Sequence, residues 1–194
     1  MANHEKKSGF NTYSLAVIGM MAALVFVTTK LQIQIPTAIG STRLHFGNVF
    51  CLIAGMLLGG VRGGLAAGIG SMFFDFTDPI FFSSAPFTLV FKFMMGFVCG
   101  TIANGGGAEA RNVTRNLIGC VAGSLTYVVL YIGKNFVMDY FFMRNPLGTV
   151  LTALSTKGAV SLVNAALAVV AAMVLIPVFR RAYDMTGFKQ RMAQ

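Results

Sequence analysis

Charge is what this sequence has least of. Only 11% of its 194 residues are charged, against about 25% in an ordinary soluble domain. Hydrophobic residues make up 56%, and mean hydropathy is +0.73. A chain so poor in polar side chains cannot cover a water-exposed globule of this size, so its solvent is lipid. The same numbers exclude a disordered chain. Tryptophan is absent, so any aromatic belt rests on the five Tyr and 18 Phe. Histidine occurs only as His4 and His45, and cysteine only as Cys51, Cys99 and Cys120, each inside an apolar run and none in a CxxC pair. No zinc motif follows from that, and the cysteines read as small buried hydrophobes. There is no GxxxxGK[ST], HExxH or GxSxG sequence, hence no P-loop, zincin helix or hydrolase elbow. We therefore expect no catalytic residue, no metal and no cofactor.

What is present is long apolar runs with basic residues at their ends. The formal net charge of +9 therefore concerns membrane topology, not nucleic acid. The stretch after Lys6 and Lys7 stays apolar for about 20 residues without a small-residue cleavage site. That is long enough to span a bilayer and reads as an uncleaved first helix.

The pattern predicts a single all-α membrane domain, a six-transmembrane-helix bundle with helices at about 13–35, 48–61, 65–77, 86–103, 116–138 and 149–179, and a basic tail over 180–194. Pro36 ends the first helix, and a polar loop over 37–47 carries Arg43 and His45. Gly59, Gly60, Gly63 and Gly64 crowd around Arg62, which favours two helices over one long helix across 48–77. Pro177 predicts a bend in the last helix. Six spans put both termini on one side. Nine Lys and Arg fall on that side (Lys6, Lys7, Arg62, Arg111, Arg115, Arg180, Arg181, Lys189 and Arg191), and six on the other. The positive-inside rule makes the termini cytoplasmic.

The six outward cations need an explanation. Arg43 and Arg144 sit in loops, and Lys30, Lys92, Lys134 and Lys157 lie in or at the ends of helices. Taken singly, each lysine could snorkel to the interface. Helical spacing argues for more. Lys157, Ser161 and Asn164 share one face, as do Tyr127, Tyr131, Lys134 and Asn135, and as do Ser71, Asp75 and Asp78; Thr88 and Lys92 are four apart. Lipid does not accept four polar stripes, so they face one another. Convergent polar groups among aromatics describe a ligand pocket. The competing reading is an internal ion-pair network, such as Asp75 with Lys92. We take Lys92, Lys134, Asn135, Lys157, Asn164, Asp75, Tyr127, Tyr131 and Arg43 as candidate substrate-binding residues.

The other half of each helix carries small residues four apart, including Gly55, Gly59 and Gly63, Gly96 and Gly100, and Gly119 and Gly123. This spacing lets backbones approach closely. Ala16, Gly19 and Ala23 form a similar stripe on the first helix, suited either to internal packing or to docking on another membrane protein.

Three stretches carry a family resemblance: Phe46-Gly47-Asn48-Val49-Phe50; Ala54-Gly55-Met56-Leu57-Leu58-Gly59-Gly60-Val61-Arg62-Gly63-Gly64-Leu65-Ala66-Ala67-Gly68-Ile69-Gly70-Ser71 followed by Asp75; and Ala85-Pro86-Phe87-Thr88-Leu89-Val90-Phe91-Lys92. Together they resemble the substrate-binding (S) components of energy-coupling factor (ECF) transporters, in the branch that holds riboflavin-type and hydroxymethylpyrimidine-type members. The resemblance implies a multi-pass protein of the bacterial cytoplasmic membrane that is not an enzyme. It would bind a vitamin or precursor at its outer face, such as riboflavin or a pyrimidine or pyridine compound, under a lid formed by the loop after helix 1. It implies as partners a transmembrane scaffold (the T component) and two ATPase subunits, which would supply the nucleotide site this chain lacks. The family's Ala-x-x-x-Ala docking motif on helix 1 is matched most nearly by Gly19-x-x-x-Ala23. The alternative is a self-sufficient carrier or channel for a small polar solute.

Overall fold

The computed structural model describes residues 12–185. Helix α1 spans Thr12–Thr29. It stops six residues short of the expected end. The hydroxyls of Thr28 and Thr29 turn back onto the carbonyls of Leu24 and Val25, each at 2.7 Å. The residues that follow, Gln32-Ile33-Gln34-Ile35, alternate polar and apolar, a period of two that no helix can place on one face. They form β1 (Gln32–Pro36), paired antiparallel with β2 (Ser41–His45) in the register Gln32 to His45 through Pro36 to Ser41. Gly40, at φ +71°, closes the turn. The all-α expectation is therefore corrected at one place: a β-hairpin stands where the last turns of helix 1 and the following loop were expected.

Helix α2 (Gly47–Leu58) and helix α3 (Gly60–Thr77) are separate, and the break is at Gly59, φ +82°. The next glycines lie inside α3 and serve close approach instead of turning. A Cβ on Gly63 would come within 2.5 Å of the Ala54 carbonyl oxygen, and one on Gly64 within 2.8 Å of that of Phe93. A single-residue turn and tight helix contact are the two jobs of this glycine run.

Helix α4 (Ala85–Asn104) begins with Pro86 in its first turn and ends where the Asn104 amide donates to the carbonyls of Met56 and Gly100. Helix α5 (Val113–Phe136) is capped by Asn112, whose side chain accepts from the Arg115 N–H at 3.1 Å. It runs on into a π-helical turn, Val137–Phe142. Helix α6 (Leu147–Met185) continues through Pro177, six residues beyond the expected end at 179. The start of the expected basic tail is thus helical. Arg180 is buried and pairs with Glu109 at 3.3 Å and Asp184 at 3.4 Å. Lys6, Lys7, Lys189 and Arg191, part of the charge count above, lie outside the described residues, as does His4.

Helix α2 is the core: every residue from Cys51 to Leu58 is buried, with α1, α3, α4 and α6 around it. All three cysteines are buried here. The outer faces of the bundle are apolar and bare, with Val129, Val170 and Val174 65–70% exposed. Rows of such residues fit lipid and not water. Of the six helices, four are long and apolar enough to cross a membrane: α1, α4 and α5 with their flanking turns, and α6. Helix α2 is apolar but only 12 residues long, about 18 Å at 1.5 Å per residue. Helix α3 has 18 residues but carries Arg62, Asp75 and five glycines.

Candidate functional site

At the hairpin end of the bundle the polar stripes meet. Between the hairpin, the start of α4, α5 with its π-turn, and α6 lies a cavity of about 320 Å³, toward the small end of the range for small-molecule sites, about 300–1,000 Å³. Seven of the nine expected site residues line it: Arg43, Tyr127, Tyr131, Lys134, Asn135, Lys157 and Asn164. Asp75 and Lys92 do not; both are buried beside it.

The charged candidate residues at this end each have at least one partner. Arg43 of β2 is ion-paired with Asp75 of α3, and its guanidinium lies 4.1 Å from the Phe81 ring and 5.3 Å from that of Phe74. Asp75 therefore pairs across to the hairpin and not with Lys92, the partner considered from sequence. The Lys92 ammonium donates to the Asn48 side-chain oxygen and stands 3.7 Å from the Tyr127 ring centre. Lys157 donates to Asn135 at 2.9 Å and to Asp139 at 3.2 Å. Lys134 donates to the Ser84 hydroxyl at 3.1 Å, with the Phe87 ring centre 5.3 Å away.

The aromatic wall is built by helical spacing. Tyr127 and Tyr131 stack with ring centres 5.8 Å apart and planes 16° off parallel, and Phe81, Phe87 and Phe91 complete it. Such a wall accepts a flat ring by stacking. The Tyr131 hydroxyl also reaches Thr42 of β2 at 3.3 Å.

Asn164 bonds to the backbone of the hairpin. Its oxygen accepts the His45 N–H at 3.1 Å, and its NH₂ donates to the Arg43 carbonyl at 2.8 Å. One α6 side chain thus fastens the inner strand of the hairpin over the cavity. On the other strand, Gln32 and Gln34 donate to Asp78 at 3.1 and 3.3 Å. His45 is buried with its Nδ1 unpartnered. Burial first, then the charges of Lys92 and Arg43, push its pKa well below the ordinary histidine range.

Several site residues escaped the sequence reading. Asp139 was placed in a loop, yet it is buried on the π-turn and pairs with Lys157. Its spacing of four from Asn135 and eight from Tyr131 was the available signal. Asn48 and Ser84 carried no periodic signal; tertiary packing alone brings them to lysines.

On the opposite side of α1, Ala16, Gly19 and Ala23 are all exposed, and nothing lies within 4 Å of where a Gly19 Cβ would be. Packing among the described residues does not use this stripe.

The model of the family "ECF-type riboflavin transporter, S component" matches residues 9–182 of this sequence. The chain belongs to that family. It is an ECF S component, a multi-pass membrane protein of substrate-binding transport. It is also 33% identical over 114 residues to an uncharacterized Pyrococcus woesei protein described by its place in a gap 3' region; the match covers 59% of this chain and 72% of that one.

Proposed function

We propose that the cavity beneath the hairpin takes a heteroaromatic vitamin or precursor from outside the cell, with riboflavin or a pyrimidine or pyridine compound as the class. In this reading all six helices are embedded, both termini are cytoplasmic, and the membrane is the bacterial cytoplasmic membrane. The T component and two ATPase subunits supply the energy. The observation that carries the reading is the convergence of Arg43, Lys134, Lys157 and the stacked tyrosines on one roofed cavity. Arg43, Lys134, Lys157 and Asn135 would hold the polar edge of the cargo while Tyr127 and Tyr131 cover its ring. Asp75, Lys92 and Asn164 would act indirectly, by fixing Arg43, the tyrosine wall and the hairpin.

The bare stripe of Ala16, Gly19 and Ala23 is where the T component would seat, since small residues let a partner helix approach closely. The test is Gly19→Leu with Ala23→Leu. Cargo binding by the purified protein stays intact while ATP-dependent uptake is lost. Uptake that persists in the variant removes the docking surface. Uptake in cells without the ATPase subunits supports the self-sufficient carrier instead.

A further inference from the structure

The charges around the cavity do not balance. Among the described residues, its lining carries Arg43, Lys134 and Lys157 against a single carboxylate, Asp139. Just behind the wall are Lys92 and Asp75, one of each sign. Asp139 is taken by Lys157 and Asp75 by Arg43. Asp78, the other carboxylate described at this end, does not line the cavity, and Gln32, Gln34 and the Ile80 N–H occupy its oxygens. Among the described residues, Lys134 and Lys92 have no carboxylate partner.

The two are not equivalent. Lys92 is 1% exposed and faces the Tyr127 ring and Asn48. Lys134 is half-buried, opens on the cavity, and has one neutral hydroxyl as its partner. Arg43 adds positive charge beside it. The Arg43 side chain is only 10% exposed, and its Nη1 has no hydrogen-bond partner among the described residues. Asp75 has an unpartnered oxygen too, but Asp75 is fully buried and off the cavity wall. A neutral cargo leaves an excess of positive charge in a partly enclosed site, which is costly. A cargo bearing one anionic oxygen group offsets it and gives Lys134 the anionic partner it lacks.

We infer that the cargo is an anionic heteroaromatic, with a carboxylate or phosphate group held by Lys134 and Arg43 and its ring against Tyr127 and Tyr131. This rests on the reading of the cavity as the cargo site.

The test uses the full chain in nanodiscs and two matched probe pairs: nicotinate against nicotinamide, and riboflavin 5'-phosphate against riboflavin. In the better-binding pair, the anion binds more tightly than its neutral partner by about tenfold or more, the range of a charge-assisted hydrogen bond. Lys134→Gln removes that preference, so that the anion binds no more tightly than its neutral partner, and Lys134→Arg retains it. Unchanged melting of both variants shows that the fold is intact. A neutral probe that binds as tightly as its anion, or a preference that survives in Lys134→Gln, overturns the anionic assignment and leaves the cargo site standing. If no probe binds and no small molecule can be extracted from the purified protein, the cargo-site reading itself falls, and this inference with it.

Discussion

Replacing Asn164 with Ala should loosen the roof of the cavity without touching its walls. An isolated two-stranded hairpin is marginal at best, so this one depends on its anchors. Asn164 supplies two of them, accepting from the His45 N–H at 3.1 Å and donating to the Arg43 carbonyl at 2.8 Å. In Asn164→Ala both backbone groups lose their partner in the closed state, and each regains water when the hairpin opens. An orphaned buried group costs about 1–3 kcal/mol, and a net hydrogen bond about 1 kcal/mol. Taking about 1 kcal/mol for each of the two groups gives a sum of about 2 kcal/mol. That corresponds to a roughly 30-fold rise in the open population. Hydrogen–deuterium exchange in nanodiscs reads it directly: the His45 amide and its neighbours in β2 should exchange about 30-fold faster. Asn164→Asp keeps the acceptor for His45 and loses the donor to Arg43, so its effect is smaller. Exchange in β2 within about twofold of the parent protein in Asn164→Ala would refute the idea that α6 fastens the hairpin.

Three further outcomes follow from the same contacts. Asp75→Ala strands the buried Arg43 guanidinium and should cost about 3–5 kcal/mol, whereas the double change Asp75→Ala with Arg43→Met should cost clearly less; equal losses of melting stability would sink the ion-pair argument. Gly100→Ala would set a Cβ 2.5–2.7 Å from the backbone of Gly55, Gly59 and Gly60, so it should destabilise by about 1–3 kcal/mol or more. Gly133→Ala, with nothing within 4 Å, should be neutral or stabilising by up to about 1 kcal/mol, and similar melting shifts in the two would remove the close-approach account. His45, held neutral by burial, binds its proton less readily in the fold than in the unfolded chain. Its contribution is intact above the unfolded value of about 6.5 and is lost as pH falls below it, by up to about 1.4 kcal/mol per pH unit. His45→Gln should flatten the fall in stability between pH 7 and pH 5, and parallel curves would show that His45 is not the responsible group.

The helices were legible because lipid imposes long apolar runs, and because Pro36, Gly59 and Pro86 punctuate them. The cavity was legible because a helix repeats every 3.6 residues, so Tyr127, Tyr131, Lys134 and Asn135 had to share a face. What stayed hidden depends on distant parts of the chain. The hairpin alternates over only a few residues, next to an apolar helix that masks it, and its strands are held by Asn164 and Asp78 far away in sequence. Asp139 was lost because a π-turn carries the α5 helix past the point where a regular reading ends it. The partner of Asp75 could not be read from spacing, since Arg43 reaches it from a different element.

The central claim, that the cavity beneath the hairpin holds the cargo, is tested most directly by native mass spectrometry of the protein taken from its own host's membrane. The account predicts one small aromatic molecule per chain, released on denaturation and lost or strongly depleted in both Lys157→Gln and Tyr131→Ala when these remain folded. The same molecule at the same occupancy in the parent protein and in both variants would contradict it.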